Sequence, residues 1–177
     1  ETLGAPQAAA ARAAFFEFGP PRLADAPDRI WRSLTWGRTV EVFVLDSRSE
    51  RKPSTASDPD AEYLSTAQMA WLTQGLAASE ATFKVILSSV PFTEMPFVYP
   101  SSGDRWQGYP AQRAVLADLV DDLPGVLFLG GDFHFGAVTQ TAPAGSPGDA
   151  VPELFVGPAA KVPNPATLLL DSFKAQF

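Results

Sequence analysis

Val126-Leu127-Phe128-Leu129-Gly130-Gly131-Asp132-Phe133-His134 is the stretch whose reading decides the fold. The short continuous apolar run predicts a strand covered on both faces, as in the interior of a parallel sheet. Gly130 and Gly131 are expected to supply backbone geometry and close approach that a side chain would forbid. Asp132 and His134 follow two residues apart, just past the strand's carboxyl end, where ligands gather in open α/β sheets. His134 is the only histidine of the chain. A carboxylate and an imidazole placed there make half of a metal site. A hydrogen-bonded loop histidine and a turn-forming aspartate would have the same residues, and two donors do not fill a metal shell. The surrounding chain has to decide.

A length of 177 residues suits one medium domain with a real core. Hydrophobic residues make up 46% and charged residues 19%, the balance of a globular protein. The net charge of -7 speaks against non-specific nucleic-acid binding, which needs a basic footprint. No apolar run approaches membrane-spanning length. Without cysteine there is no disulfide, thiolate metal site or catalytic thiol, and the compartment stays open. The chain begins at Glu1 without a signal segment and stops at Phe177, just after Leu168-Leu169-Leu170. Both ends are expected to be cut from something longer.

Working outward, the alanine-rich run from Pro6 to Phe16 predicts a helix that Gly19-Pro20-Pro21 stops. Ile30–Trp36 and Thr39–Leu45, joined at Gly37-Arg38, predict a hairpin. A polar loop spans Ser49 to Ala61. Ser65 is a good N-cap for a helix over Thr66–Ser79, with Met69, Trp71, Leu72 and Leu76 at helical spacing. Phe83–Leu87 predicts a strand. Pro91–Tyr109 is a long irregular excursion of the kind that is often functional. A helix over Pro110–Asp122, with Val115, Leu116, Leu119 and Val120 inward, delivers the chain to the Val126–Leu129 strand. Short strands are expected at Ala137–Gln140 and Leu154–Val156. The order predicts a mixed α/β layered domain. No Walker loop, dinucleotide fingerprint or nucleophile elbow is present.

Several of these segments, in this order, resemble the alkaline phosphatase D (PhoD-like) metallophosphatases, relatives of the calcineurin-like phosphoesterases. Phe43-Val44-Leu45-Asp46-Ser47-Arg48 resembles that family's strand ending in Leu-Asp-Thr-Arg. Leu64–Ser79, with Gln68, Trp71 and Leu72, resembles its Leu-Gly-x-x-Gln-x-x-Trp-Leu helix. Asp104–Pro110 resembles its Asp-x-Trp-Asp-Gly-Tyr-Pro segment, with Arg113 a turn further on, and Gly131–His134 its closing Gly-Asp-Val-His. The similarity runs from about Phe15 to Val156. Gln107, Ser47, Ser49-Glu50 and Phe133 depart from the family pattern, and none touches the closing Asp and His.

The resemblance implies part of an α/β/β/α sandwich with mixed sheets: residues 1–177 would be the carboxyl-terminal half of one metallophosphatase domain, the earlier metal-binding motifs lying upstream. It implies a phosphomonoesterase or phosphodiesterase that uses a two-metal site, with His134 a ligand and Asp132 a ligand or an orienting neighbour. The metals implied are Fe, Ca, Zn or Mn. Arg48 can clamp a phosphate, or pair with Asp46 at the strand end. Trp106 and Tyr109 can wall a substrate pocket, or anchor the long loop. The partners implied are a phosphate-ester substrate and the missing amino-terminal half, on the same polypeptide or a separate chain, and the family points to an extracytoplasmic location. The alternatives to an enzyme are an inert structural half that packs against a complementary chain, and a non-catalytic metal- or phosphate-binding module.

Overall fold

The computed structural model describes residues 5–19, 29–52, 60–95 and 102–157. Within them lie three helices, α1 (Ala5–Phe18), α2 (Thr66–Ala78) and α3 (Pro110–Asp121). Six strands, β1 (Arg32–Trp36), β2 (Val40–Val44), β3 (Phe83–Leu87), β4 (Val126–Gly130), β5 (Ala137–Gln140) and β6 (Pro152–Phe155), form one sheet in the order β1-β2-β3-β4-β6-β5. β2, β3, β4 and β6 run parallel, and β1 and β5 close the two edges antiparallel. The expected mixed α/β architecture is what the chain forms.

Local chemistry explains the elements. Gly37 takes φ 57 in the turn of the β1–β2 hairpin, a value glycine adopts without steric cost. The Ser65 hydroxyl accepts the Gln68 N–H and caps α2. Pro110 opens α3, where its missing N–H costs nothing. Helices α2 and α3 are the crossovers β2–α2–β3 and β3–α3–β4. They bury Leu72, Leu76, Leu116, Ala117 and Val120 against Phe43, Ile86 and Phe128, which lie side by side in register across the sheet. The expectation for α3 needs one change: Val115 is 55% exposed, and Ala117 takes the inward place. Sequence periodicity weighs Val above Ala, but helix rotation follows the larger Leu116 and Val120.

The opposite face of the sheet has a different character. Side chains alternate along a strand, so the residues between those in the core point the other way. One row runs Val44, Leu87, Leu129, Leu154, Val138 from β2 to β5, and a second runs Leu34, Val42, Val85, Leu127. Leu34, Trp36, Phe83, Leu87 and Val138 are exposed. Among the described residues no helix buries itself there, and α1 keeps every residue whose side chain is described exposed or half-exposed. Exposed apolar surface of this kind commonly marks an interaction site. The expected segments at Gly19-Pro20-Pro21 (beyond Gly19), in the middle of the Ser49–Ala61 and Pro91–Tyr109 loops, and at Leu168–Leu170 fall outside the described residues.

Candidate metal and phosphate site

Four parallel strands bring their carboxyl ends into line. The Leu45 N–H donates to Leu87 O, Ser88 N–H to Leu129 O and Val156 N–H to Gly130 O, at 2.9–3.0 Å. The loops that follow, beginning at Asp46, Ser88 and Gly131, therefore form one ridge above the sheet. Ser47 and Ser89 hydrogen-bond through their hydroxyls. A Cβ on Gly131 would stand 3.7 Å from Ser89 O, so the turn after β4 lies against the turn after β3.

That turn carries Asp132 and His134. The strained backbone is theirs and not the glycines': Asp132 has φ 73 and His134 φ 59, the two residues other than glycine with positive φ among the described residues. L-residues pay roughly 1–2 kcal/mol for this region, with Asn, Asp and His the most tolerant. Gly131 has ordinary room around it. Gly130 serves close approach, since a Cβ there would meet Pro91 Cα at 3.3 Å. The expectation that the glycine pair would take the unusual geometry is thus corrected. Left-handed backbone on polar non-glycine residues is a feature that clusters at active sites and ligand clamps. Asp132 is exposed and His134 half-buried. Phe133, between them, has the Arg105 guanidinium 5.5 Å from its ring centre. Arg105 is buried, which lowers its pKa, while Asp104 acts the other way. Arg105 is not among the expected site residues, and the signal for it lies in the Asp104–Pro110 segment, beside Trp106.

The strand end at β2 is held by hydrogen bonds. Asp46 is buried, and its carboxylate accepts the N–H groups of Arg48 and Ser49 at 3.1 and 2.9 Å, and the Ser49 hydroxyl. This is an aspartate turn, in which the side chain satisfies its own following backbone. No ion pair joins the Arg48 guanidinium to Asp46, which corrects the pairing expected from their spacing; Arg48 is exposed at the ridge. Gln68, wholly buried on α2, clamps the Asp46 backbone with both ends of its amide, accepting from N–H at 2.9 Å and donating to the carbonyl at 3.1 Å. Gln68→Ala would leave two buried backbone groups without partners, at about 1–3 kcal/mol each. A loss of that size in urea unfolding free energy is expected, and an unchanged value would show that water takes over the amide's role.

Trp106 and Tyr109 lie in the core, 0% and 1% exposed. The Trp106 indole donates to Ser88 Oγ at 3.4 Å, and the Tyr109 hydroxyl donates to the Lys52 and Gly103 carbonyls. Both pack on Tyr63. These are the surroundings of loop anchors, not of pocket walls. The reason is packing: Trp106 and Tyr109 are members of the main core cluster, beside Tyr63, Phe92 and Phe128. Burial pushes the Tyr63 phenol up to about 12, with the nearby Ser47 hydroxyl pulling the other way. No partner meets normal hydrogen-bond geometry at that phenol. A cleft of about 350 Å³ opens among Phe83, Pro124, Gly125 and Pro152, at the opposite end of the strands from His134.

A family model described as PhoD-like phosphatase matches residues 3–175. The chain belongs to that family. Alkaline phosphatase D of Bacillus subtilis (strain 168) is 29% identical over 147 residues, covering 71% of this chain and 25% of the relative. A solved structure titled "Structure of PhoD" superposes with a TM-score of 0.69 at 25% identity, covering 89% of this chain and 36% of that one. This PhoD-like chain therefore spans a quarter of the length of that curated relative. Carboxylate oxygen and imidazole nitrogen suit ions from Ca to Zn to differing degrees, so Asp132 and His134 fit as two members of a metal shell. Among the described residues no group of three or more His, Cys, Asp or Glu completes one.

Proposed function

We propose that this chain contributes part of a two-metal phosphoesterase site, with Asp132 and His134 as its donors and the remaining donors on polypeptide outside residues 1–177. The carrying observation is the pair of non-glycine residues held at positive φ, at the carboxyl end of a central parallel strand, in a chain of the PhoD-like family. Asp132 and His134 would help hold the metal, which when bound would supply an activated water and stabilise the leaving oxygen of a phosphate ester. This chain's own backbone holds both residues at positive φ past the strand's carboxyl end. Arg48, exposed on the same ridge, offers a planar cation to a phosphate oxygen. The buried Arg105 keeps positive charge against the turn and favours anionic ligands there.

The open apolar sheet face supports a second element of the proposal. The segment that supplies the missing donors packs across the face lined by Val44, Leu87, Leu129 and Leu154, continuous with this chain or docked on it. A purely structural half would use the same face, so binding alone does not distinguish the two. Hydrolysis does. The complete polypeptide is expected to turn over p-nitrophenyl phosphate or bis-p-nitrophenyl phosphate, to lose that activity on chelation and to regain it with metal. Hydrolysis of neither ester across a panel of Fe, Ca, Zn and Mn would leave a binding or structural role.

A further inference from the structure

We propose that Glu153 is a positioning residue for the Asp132–His134 turn: its carboxylate fixes the segment after β3, and that segment packs on the aromatic residues beside His134. The inference rests on the phosphoesterase reading only for its catalytic consequence.

Glu153 stands in β6 opposite Phe128, on the sheet face that carries Phe43 and Ile86, and it is wholly buried. A carboxylate in such a place costs several kcal/mol unless hydrogen bonds compensate. Here each oxygen accepts one backbone N–H, from Phe92 at 2.7 Å and from Thr93 at 2.8 Å. The same short segment is gripped from other sides. Arg113 donates to Phe92 O at 3.0 Å and pairs with Glu94, the Thr93 hydroxyl donates to Gln140 O, and Gln107 donates to Met95 O. Met95 then joins Phe135 and Phe155 in a small separate cluster, against which Phe133 also packs. Phe133 and Phe135 are the immediate neighbours of His134. A Cβ on Gly130, two residues before Asp132, would crowd the Pro91 backbone at 3.3 Å and touch Glu153 Oε1 at 3.4 Å. The carboxylate, the segment after β3 and the turn after β4 thus form one packed unit.

Burial drives the Glu153 carboxyl up from 4.5 to about 7, against the pull of the two N–H groups and of Arg113. The groups facing it are Phe128 and Gly130 from β4, Thr139 from β5, and Arg113 from α3, which also pairs with the exposed Glu94. Ionised, Glu153 accepts both N–H groups; protonated, one oxygen becomes a donor and the grip loosens. A raised folded-state pKa means that the fold holds the proton more tightly than the unfolded chain does. Its contribution to stability is therefore fully present below 4.5 and declines as pH rises through about 7. Global stability and order at the turn move in opposite directions across that window.

The test uses the complete polypeptide. Amide hydrogen-exchange protection of Phe92 and Thr93 is measured from pH 5.5 to 8.5 against amides in β3, and p-nitrophenyl phosphate hydrolysis is followed for wild type and Glu153→Gln. Wild-type protection is expected to rise about tenfold through pH 7, the scale of one hydrogen bond, and to stay flat in the variant. The variant's kcat at pH 8.5 should fall about tenfold with KM within twofold, and its profile should lack the wild-type limb near 7. Wild-type amides with pH-independent protection would overturn the proposal, whether or not the variant folds. A variant with wild-type kcat and the same limb would overturn it as well. Protection that rises through pH 7 in a protein without hydrolysis would uphold the clamp while refuting the phosphoesterase reading.

Discussion

In the complete polypeptide, His134→Ala is expected to lower metal occupancy and phosphoester hydrolysis together. Removing groups that merely orient a metal ligand typically costs 10–100-fold; loss of a ligand should cost about 100-fold or more. His134 is half-buried at φ 59, so alanine inherits the backbone strain without the donor. Asp132→Gly separates strain from function. Asp132 is exposed at φ 73, so glycine gives up little packing and relieves the left-handed backbone. The metal-free protein should gain up to about 1 kcal/mol in urea unfolding, while hydrolysis falls about 10–100-fold if Asp132 orients a ligand and further if it is itself a ligand. Stability and activity that moved in the same direction would show that the turn is an ordinary one. Metal content by mass spectrometry and kcat/KM on the same preparations check both variants.

A charge placed on the open sheet face separates the isolated chain from the complete protein. Leu87 is 39% exposed in the row Val44, Leu87, Leu129, Leu154. In purified Glu1–Phe177, Leu87→Asp should change stability by less than about 1 kcal/mol, as exposed substitutions do, and should reduce self-association. In the complete protein the same aspartate would be covered and unpaired. The expected cost is then about 3–5 kcal/mol, the scale of a buried charge stripped of its partner. Urea midpoints measured side by side decide it. Equal, small effects in both would mean that nothing packs across this face.

The strands and helices were legible because each is written in a strong local code. The β1–β2 hairpin has its glycine turn, α2 its Ser65 cap, α3 its leading proline, and β4 its unbroken apolar run. The carboxyl-end placement of Asp132 and His134 followed from that run. What stayed hidden depends on contacts between distant residues. Spacing suggested an Arg48–Asp46 pair, yet the nearest donors to a strand-end carboxylate are the N–H groups that follow it. Trp106 and Tyr109 read equally as pocket walls or anchors, and only the packing on Tyr63 decides between them. Glu153 gave no sign at all: in Pro-Glu-Leu-Phe it looks like a solvent-facing strand residue. Its burial comes from the loop after β3 folding over it, sixty residues earlier in the chain. The α/β layering and the family were readable, and donors that would complete a metal shell were not, since the described residues hold no group of three.

The most direct test of the shared-site account is metal content and turnover of purified Glu1–Phe177, alone and then with the remainder of the polypeptide restored. Alone, the chain is expected to bind divalent metal weakly and to hydrolyse phosphate esters no faster than buffer; with the remainder restored, metal and turnover should appear together and disappear together in His134→Ala. A monomeric Glu1–Phe177 that is fully metallated and hydrolyses phosphate esters at enzymatic rates would contradict it.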